Sequence, residues 1–254
     1  MDRHHENRQA DGQGELEKDG GRTILITGAN RGLGRELVRA ALERGWRVAA
    51  GMREGALEAA DIRALREAHG DRFLAVALDV TGEPSVEAAA ADVRRAFGRV
   101  DVLVNNAAIL VARDQKLEEL SLAAVDETFQ VNLYGPLRVT KHVLPLMTGS
   151  GRKAIVNISS EAGSFANAYG GDYPYALSKG ALNLFSAHLR RYVAGRGIRV
   201  FAVHPGWIRT DMGGDQAPGD PFESARGILD LAEGITDRPD LPVFVDFRGQ
   251  PMEP

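Results

Sequence analysis

Two short stretches bring together groups capable of proton transfer: Ser159-Ser160, and Tyr175-Ala176-Leu177-Ser178-Lys179. On a helix, residues four apart lie on one face and nearly touch, so a phenol at Tyr175 would stand beside an ammonium at Lys179. A neighbouring positive charge favours phenolate over phenol and so lowers the tyrosine pKa. Bringing a phenol from roughly 10 toward neutrality takes on the order of 4 kcal/mol, at about 1.4 kcal/mol per unit. A lysine together with a bound cationic ring can supply that. Tyr and Lys also occur at this spacing on many helices by chance, so the pair needs support from the rest of the chain. Tyr169 and Tyr173 have no lysine four residues on, which singles out Tyr175.

The elements that must position these groups follow from periodicity and punctuation. Residues 153–158 read as a strand running directly into Ser159, and the helix carrying Tyr175 continues to about residue 194. Near the start, an apolar β-branched run (23–26) ends in Thr27-Gly28, then Ala29-Asn30-Arg31-Gly32-Leu33-Gly34, then a helix to about residue 44 capped by Gly45. Further strands are expected over 46–52, 72–78, 100–107, 198–203 and 243–247. Helices are expected over 57–68, from Pro84 to 97, over 122–146 with a kink at Gly135-Pro136, and near 222–233. The near-continuous apolar strands suit a sheet covered on both faces. This alternation means an α/β chain with a doubly wound, mostly parallel seven-stranded sheet and helices on both faces.

Composition narrows the function. The chain has 254 residues, 44% hydrophobic and 26% charged, with a net charge of −4 and no cysteine. That size and composition suit one domain with a large core, expected over 22–254. The charge gives no reason to expect nucleic acid or an anionic membrane as partner. Without cysteine there are no disulfides, thiolate nucleophiles or thiolate metal sites. Nothing reads as a signal peptide or membrane span, so a cytoplasmic protein is expected. Residues 1–21 are polar, with Leu16 the only large aliphatic side chain, and read as a disordered tail. His4 and His5 lie in that tail. His69, His142, His188 and His204 show no ligand spacing, so no metal is expected.

The glycine turn between the first strand and first helix is the setting in which backbone amides accept a pyrophosphate. No Gly-Lys-Ser/Thr follows, which argues against a nucleoside triphosphate. The expectation is a dinucleotide on Gly28, Asn30, Arg31, Gly32, Leu33 and Gly34, in a Rossmann fold. At the end of the second strand a carboxylate would suit the ribose 2′-hydroxyl of NAD and an arginine the 2′-phosphate of NADP. This chain has Met52-Arg53 there, and Arg31 could reach the same phosphate. Two guanidiniums favour NADP(H) over NAD(H).

From Thr23 to Gly249 the chain resembles the short-chain dehydrogenase/reductase family. The resemblance rests on Thr27 to Gly34, Asp79-Val80, Asn105-Asn106-Ala107-Ala108, Asn132, Asn157-Ile158-Ser159-Ser160, Tyr175 to Lys179, and Pro205-Gly206 with Thr210. His204 to Gly214 further resembles the branch holding C-factor-like and sniffer-type carbonyl reductases. The resemblance implies Tyr175 as acid or base and Lys179 as the group that lowers its pKa and holds the nicotinamide ribose. It implies Ser160 on the substrate carbonyl and Asn132 holding a water that links Lys179 to solvent. Asp79 and Val80 would flank the adenine, with Asn106, Ala107, Pro205 and Gly206 along the cofactor and Ile208 and Thr210 at the carboxamide. Asn105 reads mainly as a sheet-stabilising residue. Ala108 departs from the glycine usual there, and the loop 169–174 is slightly longer than common. A substrate loop is expected at about 207–240. Phe165, Trp207 and Met212 could line an apolar pocket or simply pack. Family analogy implies a homodimer or homotetramer.

Two functions fit: an NADPH-dependent reductase interconverting a small carbonyl and its alcohol, or a signalling protein of C-factor type that binds the dinucleotide with little turnover. The complete set Asn132, Ser160, Tyr175 and Lys179 favours the enzyme, since a pure sensor needs no proton donor.

Overall fold

The computed structural model describes residues 21–149 and 151–254. Apart from Gly21, the expected N-terminal tail with His4 and His5 lies outside the described residues.

Seven strands, β1 (Thr23–Thr27), β2 (Arg47–Met52), β3 (Phe73–Ala77), β4 (Val102–Asn105), β5 (Lys153–Ile158), β6 (Ile198–His204) and β7 (Phe244–Asp246), form one sheet in the order β3-β2-β1-β4-β5-β6-β7. All six pairings are parallel, so the sheet is parallel throughout rather than mostly so. Every residue of β1 is buried, as expected for a strand with helices on both sides.

Because successive side chains point to opposite faces, each strand feeds two cores. Ile24, Ile26, Val48, Ala50, Val102, Val104 and Val156 pack with helices α1 (Gly32–Glu43), α2 (Ala60–His69) and α7 (Pro221–Glu233). Leu25, Ala49, Leu103, Ile155 and Val200 pack on the other side, with α3 (Glu83–Phe97), α5 (Gly135–Val143) and α6 (Tyr173–Tyr192). Each fully buried Leu or Ile of these layers contributes about 1.5–3 kcal/mol.

The expected single helix over 122–146 is divided. α4 (Leu122–Phe129) passes into a π-helical turn, Gln130–Tyr134, before α5 begins. The distortion precedes Pro136 instead of centring on it, because Pro136 occupies the first turn of α5, where a missing N–H costs no helical hydrogen bond. The widened turn carries Asn132, which is buried.

Strand order reverses between β1 and β4, and in such sheets ligands bind in the crevice beyond the carboxyl ends of the strands. Gly28, Arg53, Asp79, Asn106, Ser160 and Pro205 all lie within two residues of a strand end at that edge. Among the described residues no helix is long and apolar enough to cross a membrane.

Candidate active site

The serine pair divides its work. Ser159 is buried; its amide donates to Val203 O (2.8 Å) and its hydroxyl to Asn183 Oδ1 (2.5 Å), so it ties β5 to β6 and α6. Ser160, extended at φ −157°, opens the short turn Glu161–Gly163; its Oγ accepts from the Ala162 amide (3.2 Å), and the side chain stands near enough to the Tyr175 phenol to act on its pKa. Ser160 is therefore the one that faces the chemistry. A Cβ on Gly163 would lie 2.5 Å from the Lys179 carbonyl carbon and 2.6 Å from the Gly180 amide nitrogen. Only a residue without a side chain lets this turn rest on the backbone of α6. The Glu161 amide donates to His204 Nδ1 (3.3 Å), fixing the other side of the turn to the end of β6.

On α6, Lys179, Asn183 and Ser186 follow helical spacing along a buried polar face. Lys179 is 2% exposed, its ammonium donates to Ile158 O (2.7 Å), and it lies 5.3 Å from the Tyr175 ring centroid. Burial pushes Lys179 down to about 7. Tyr175 is pushed up to about 12, chiefly by burial, with the Ser160 side chain and the charge of Arg113 acting the other way. The expected lowering of the tyrosine pKa was for Lys179 acting together with a bound cationic ring; for the side chains alone, burial is the larger effect. A lysine that is itself desolvated surrenders much of its charge near neutrality, and the same burial penalises the phenolate.

Asn132 is fully engaged. Its Oδ1 accepts from the Ile109 amide (2.9 Å), and its Nδ2 donates to Ile109 O (3.0 Å) and Ser178 Oγ (3.1 Å). Ser178 Oγ in turn donates to Tyr175 O (2.7 Å). The side chain thus anchors the segment after β4 to α6. Ser178, Gly163 and Gly180 escaped the sequence reading; small residues flanking a catalytic lysine are the only signal they carry.

The dinucleotide cradle lies at the switch point. Gly28 (φ +65°) begins the turn, and a Cβ on Gly34 would meet Gly28 O at 2.1 Å and Asn106 Nδ2 at 2.6 Å. Thr27 Oγ1 accepts from the amides of Asn106 and Ala107 (both 3.0 Å), while Asn106 Nδ2 donates to Thr27 O (2.9 Å) and Gly28 O (3.1 Å). The Asn106 Nδ2 therefore braces the turn. No side chain caps the start of α1, so its first amides are available to an anion. An uncapped helix start behind a bare glycine turn fits a pyrophosphate, with Asn30, Gly32 and Leu33 lying along it.

Arg53, exposed and extended after β2, has its charge close enough to Asp79 to lower that carboxyl, whose main stabilisation is the hydrogen bond from Thr81 (2.7 Å from its hydroxyl). Val80 is buried beside it. Arg31 instead pairs with Asp211 (2.8 Å) in the segment after β6, both side chains exposed. Thr210 reaches Gly32: a Cβ there would sit 3.4 Å from its methyl group. Ser224 on α7 donates to Pro205 O (2.8 Å), Gly206 has φ +83°, and Ile208 is bridged to Gly219. Phe165, Trp207 and Met212 are 92%, 56% and 37% exposed, so simple packing does not account for them.

Comparison with known proteins agrees with this geometry. The short chain dehydrogenase family profile matches residues 22–220. The carbonyl reductase Sniffer of D. melanogaster superposes with a TM-score of 0.84 at 30% identity, covering 92% of this chain and 99% of that one. The NADPH-bound carbonyl reductase from chicken fatty liver gives 0.79 at 30% identity with the same coverage. C-signal of Myxococcus xanthus is 35% identical over 153 residues, 60% of this chain and 91% of its own length. With the profile spanning most of the chain and solved relatives superposing nearly end to end, this protein belongs to the short-chain dehydrogenase/reductase family.

Proposed function

We propose that the protein is an NADPH-dependent carbonyl reductase acting on an aldehyde or ketone, with 22–254 forming one domain and about 207–240 contributing the substrate loop. The observation that carries the reading is a grouping: Tyr175 and the buried Lys179 share one face of α6, the ammonium 5.3 Å from the ring centroid, next to Ser160 at the end of β5, and burial keeps the phenol protonated at neutral pH. Reduction of a carbonyl consumes a proton, and a protonated phenol is the group that can give it. When bound, the dinucleotide supplies hydride to the carbonyl carbon. The Ser160 hydroxyl and the Tyr175 phenol hold the carbonyl oxygen and stabilise the charge that develops there. Tyr175 then transfers its proton to that oxygen, and the buried Lys179 ammonium, 5.3 Å from the Tyr175 ring centroid, is the neighbouring group placed to restore it.

Preference for NADPH rests on Arg53, since Arg31 must first leave Asp211. An exposed ion pair of that kind contributes about 0–1 kcal/mol, so a 2′-phosphate can compete for Arg31. The likeness to C-signal speaks for a signalling role, but the buried lysine beside a protonated phenol is a catalytic arrangement that a sensor does not require. NADPH oxidation by the purified protein against a panel of aldehydes, ketones and quinones decides between them. Turnover should vanish in Tyr175→Phe while NADPH binding stays within about twofold. Substantial activity in that variant would sink the assignment.

A further inference from the structure

Among the described residues only two other than glycine adopt positive φ: Ala112 (φ 55°) and Asp172 (φ 46°). Ala112 belongs to the segment after β4 and Asp172 is the residue preceding α6, and an ion pair joins the two regions. Arg113 Nε lies 3.7 Å from Asp172 Oδ1. Left-handed backbone outside glycine is unfavourable and persists where the surroundings impose it, often at ligand sites.

The pair is unequal. Asp172 is mostly buried, and its Oδ2 accepts from the Tyr169 hydroxyl (2.9 Å), whereas Oδ1, though buried, accepts no hydrogen bond. Arg113 is half-exposed at 53% and donates no hydrogen bond to any described residue. Asp172 thus restrains the Nε edge of the guanidinium by charge alone and leaves its two terminal nitrogens, a planar fork suited to two oxygens, open to solvent. Arg113 also stands close enough to Tyr175 for its charge to act on the phenol.

We propose that Arg113 is a substrate-recognition residue that takes an anionic group, a carboxylate or sulfonate, borne by the carbonyl substrate on the side away from the reacting bond. Asp172 and Tyr169 act as positioning residues that hold it at the mouth. This inference rests on the reductase reading above. A guanidinium of this kind pairs end-on with two oxygens of one anion, which selects a charged substrate over a neutral one of the same shape.

The test is a matched pair, 4-carboxybenzaldehyde and its neutral methyl ester, reduced with NADPH by the wild type, Arg113→Gln and Arg113→Lys. The wild type is expected to favour the carboxylate by about tenfold in kcat/KM. Arg113→Gln should bring the carboxylate-to-ester ratio to about one, and Arg113→Lys should keep part of the preference. A wild-type preference below about threefold, or an equal loss on both aldehydes in Arg113→Gln, overturns the proposal. Calorimetric binding of both aldehydes to the NADP⁺ complex separates this from failure of the reductase reading. If neither is reduced, tighter carboxylate binding that Arg113→Gln abolishes still upholds the anion site, and equal binding refutes it.

Discussion

Replacing Lys179 with methionine should make the protein more stable and inactive. Lys179 is buried, with a folded pKa of about 7 against the ordinary 10.5. The unfolded chain therefore binds the proton more readily than the folded one between those values, and stability rises with pH across that window. At pH 7 the penalty is on the order of 4 kcal/mol; at pH 9 it has fallen to about 2 kcal/mol. His204, lowered by burial from 6.5, and Tyr175, titrating about 12, lie outside the interval from 7 to 9. Methionine has similar length and no charge, but it leaves Ile158 O without its 2.7 Å partner, which costs about 1–3 kcal/mol. The net expectation is a variant more stable than wild type by about 1–3 kcal/mol at pH 7 and less so at pH 9. Urea unfolding of the cofactor-free protein at both pH values measures this. The wild type should gain about 2 kcal/mol between them and Lys179→Met nearly none. A wild type equally stable at pH 7 and 9, or a variant that keeps the same slope, would refute the reasoning.

Other expectations follow from the same geometry. In the cofactor-free protein, the tyrosinate absorbance of wild type minus Tyr175→Phe should not appear below about pH 10, since burial holds the phenol protonated; a midpoint near neutrality would restore the lysine-tuned tyrosine inferred from spacing. Arg53→Ala should weaken NADPH about 10- to 100-fold and NADH little, as loss of a charged contact to phosphate implies; fluorescence titrations giving equal losses would contradict the 2′-phosphate role. Gly163→Ala should lower kcat about 100-fold or more and destabilise the fold, because its methyl would force the Ser160 turn away from α6; unchanged kcat would show that this contact does not set the reacting geometry.

Much of the fold was readable because its signals are local. The buried run Thr23–Thr27, the glycines after it and the alternation of strand and helix each follow from side-chain type and spacing, and strand ends differ by only a few residues. The closeness of Tyr175 and Lys179 was legible for the same reason, since residues four apart share a helix face. Their electrostatics were not, because desolvation depends on what surrounds a group, and spacing along one helix reports only its neighbours on that helix. The π turn at Asn132 was hidden behind Pro136, a stronger local signal one turn later. The partners that Asn106 and Arg31 find in the protein, Gly28 O and Asp211, are distant in sequence and gave no local signal.

The contact of Gly163 with the backbone of Lys179 and Gly180 clamps the base of the loop 164–172 against the first turns of α6. The distance from Ser160 to the Tyr175 phenol is consequently a main-chain dimension, insulated from what lies between. Lengthening such a loop costs only a slowly growing closure entropy, about 0.6 kcal/mol per doubling. The stretch holding Phe165, Tyr169 and Asp172 can therefore gain, lose or exchange residues while the proton-transfer pair stays in register. Substrate range and chemical competence are, in this architecture, separately evolvable.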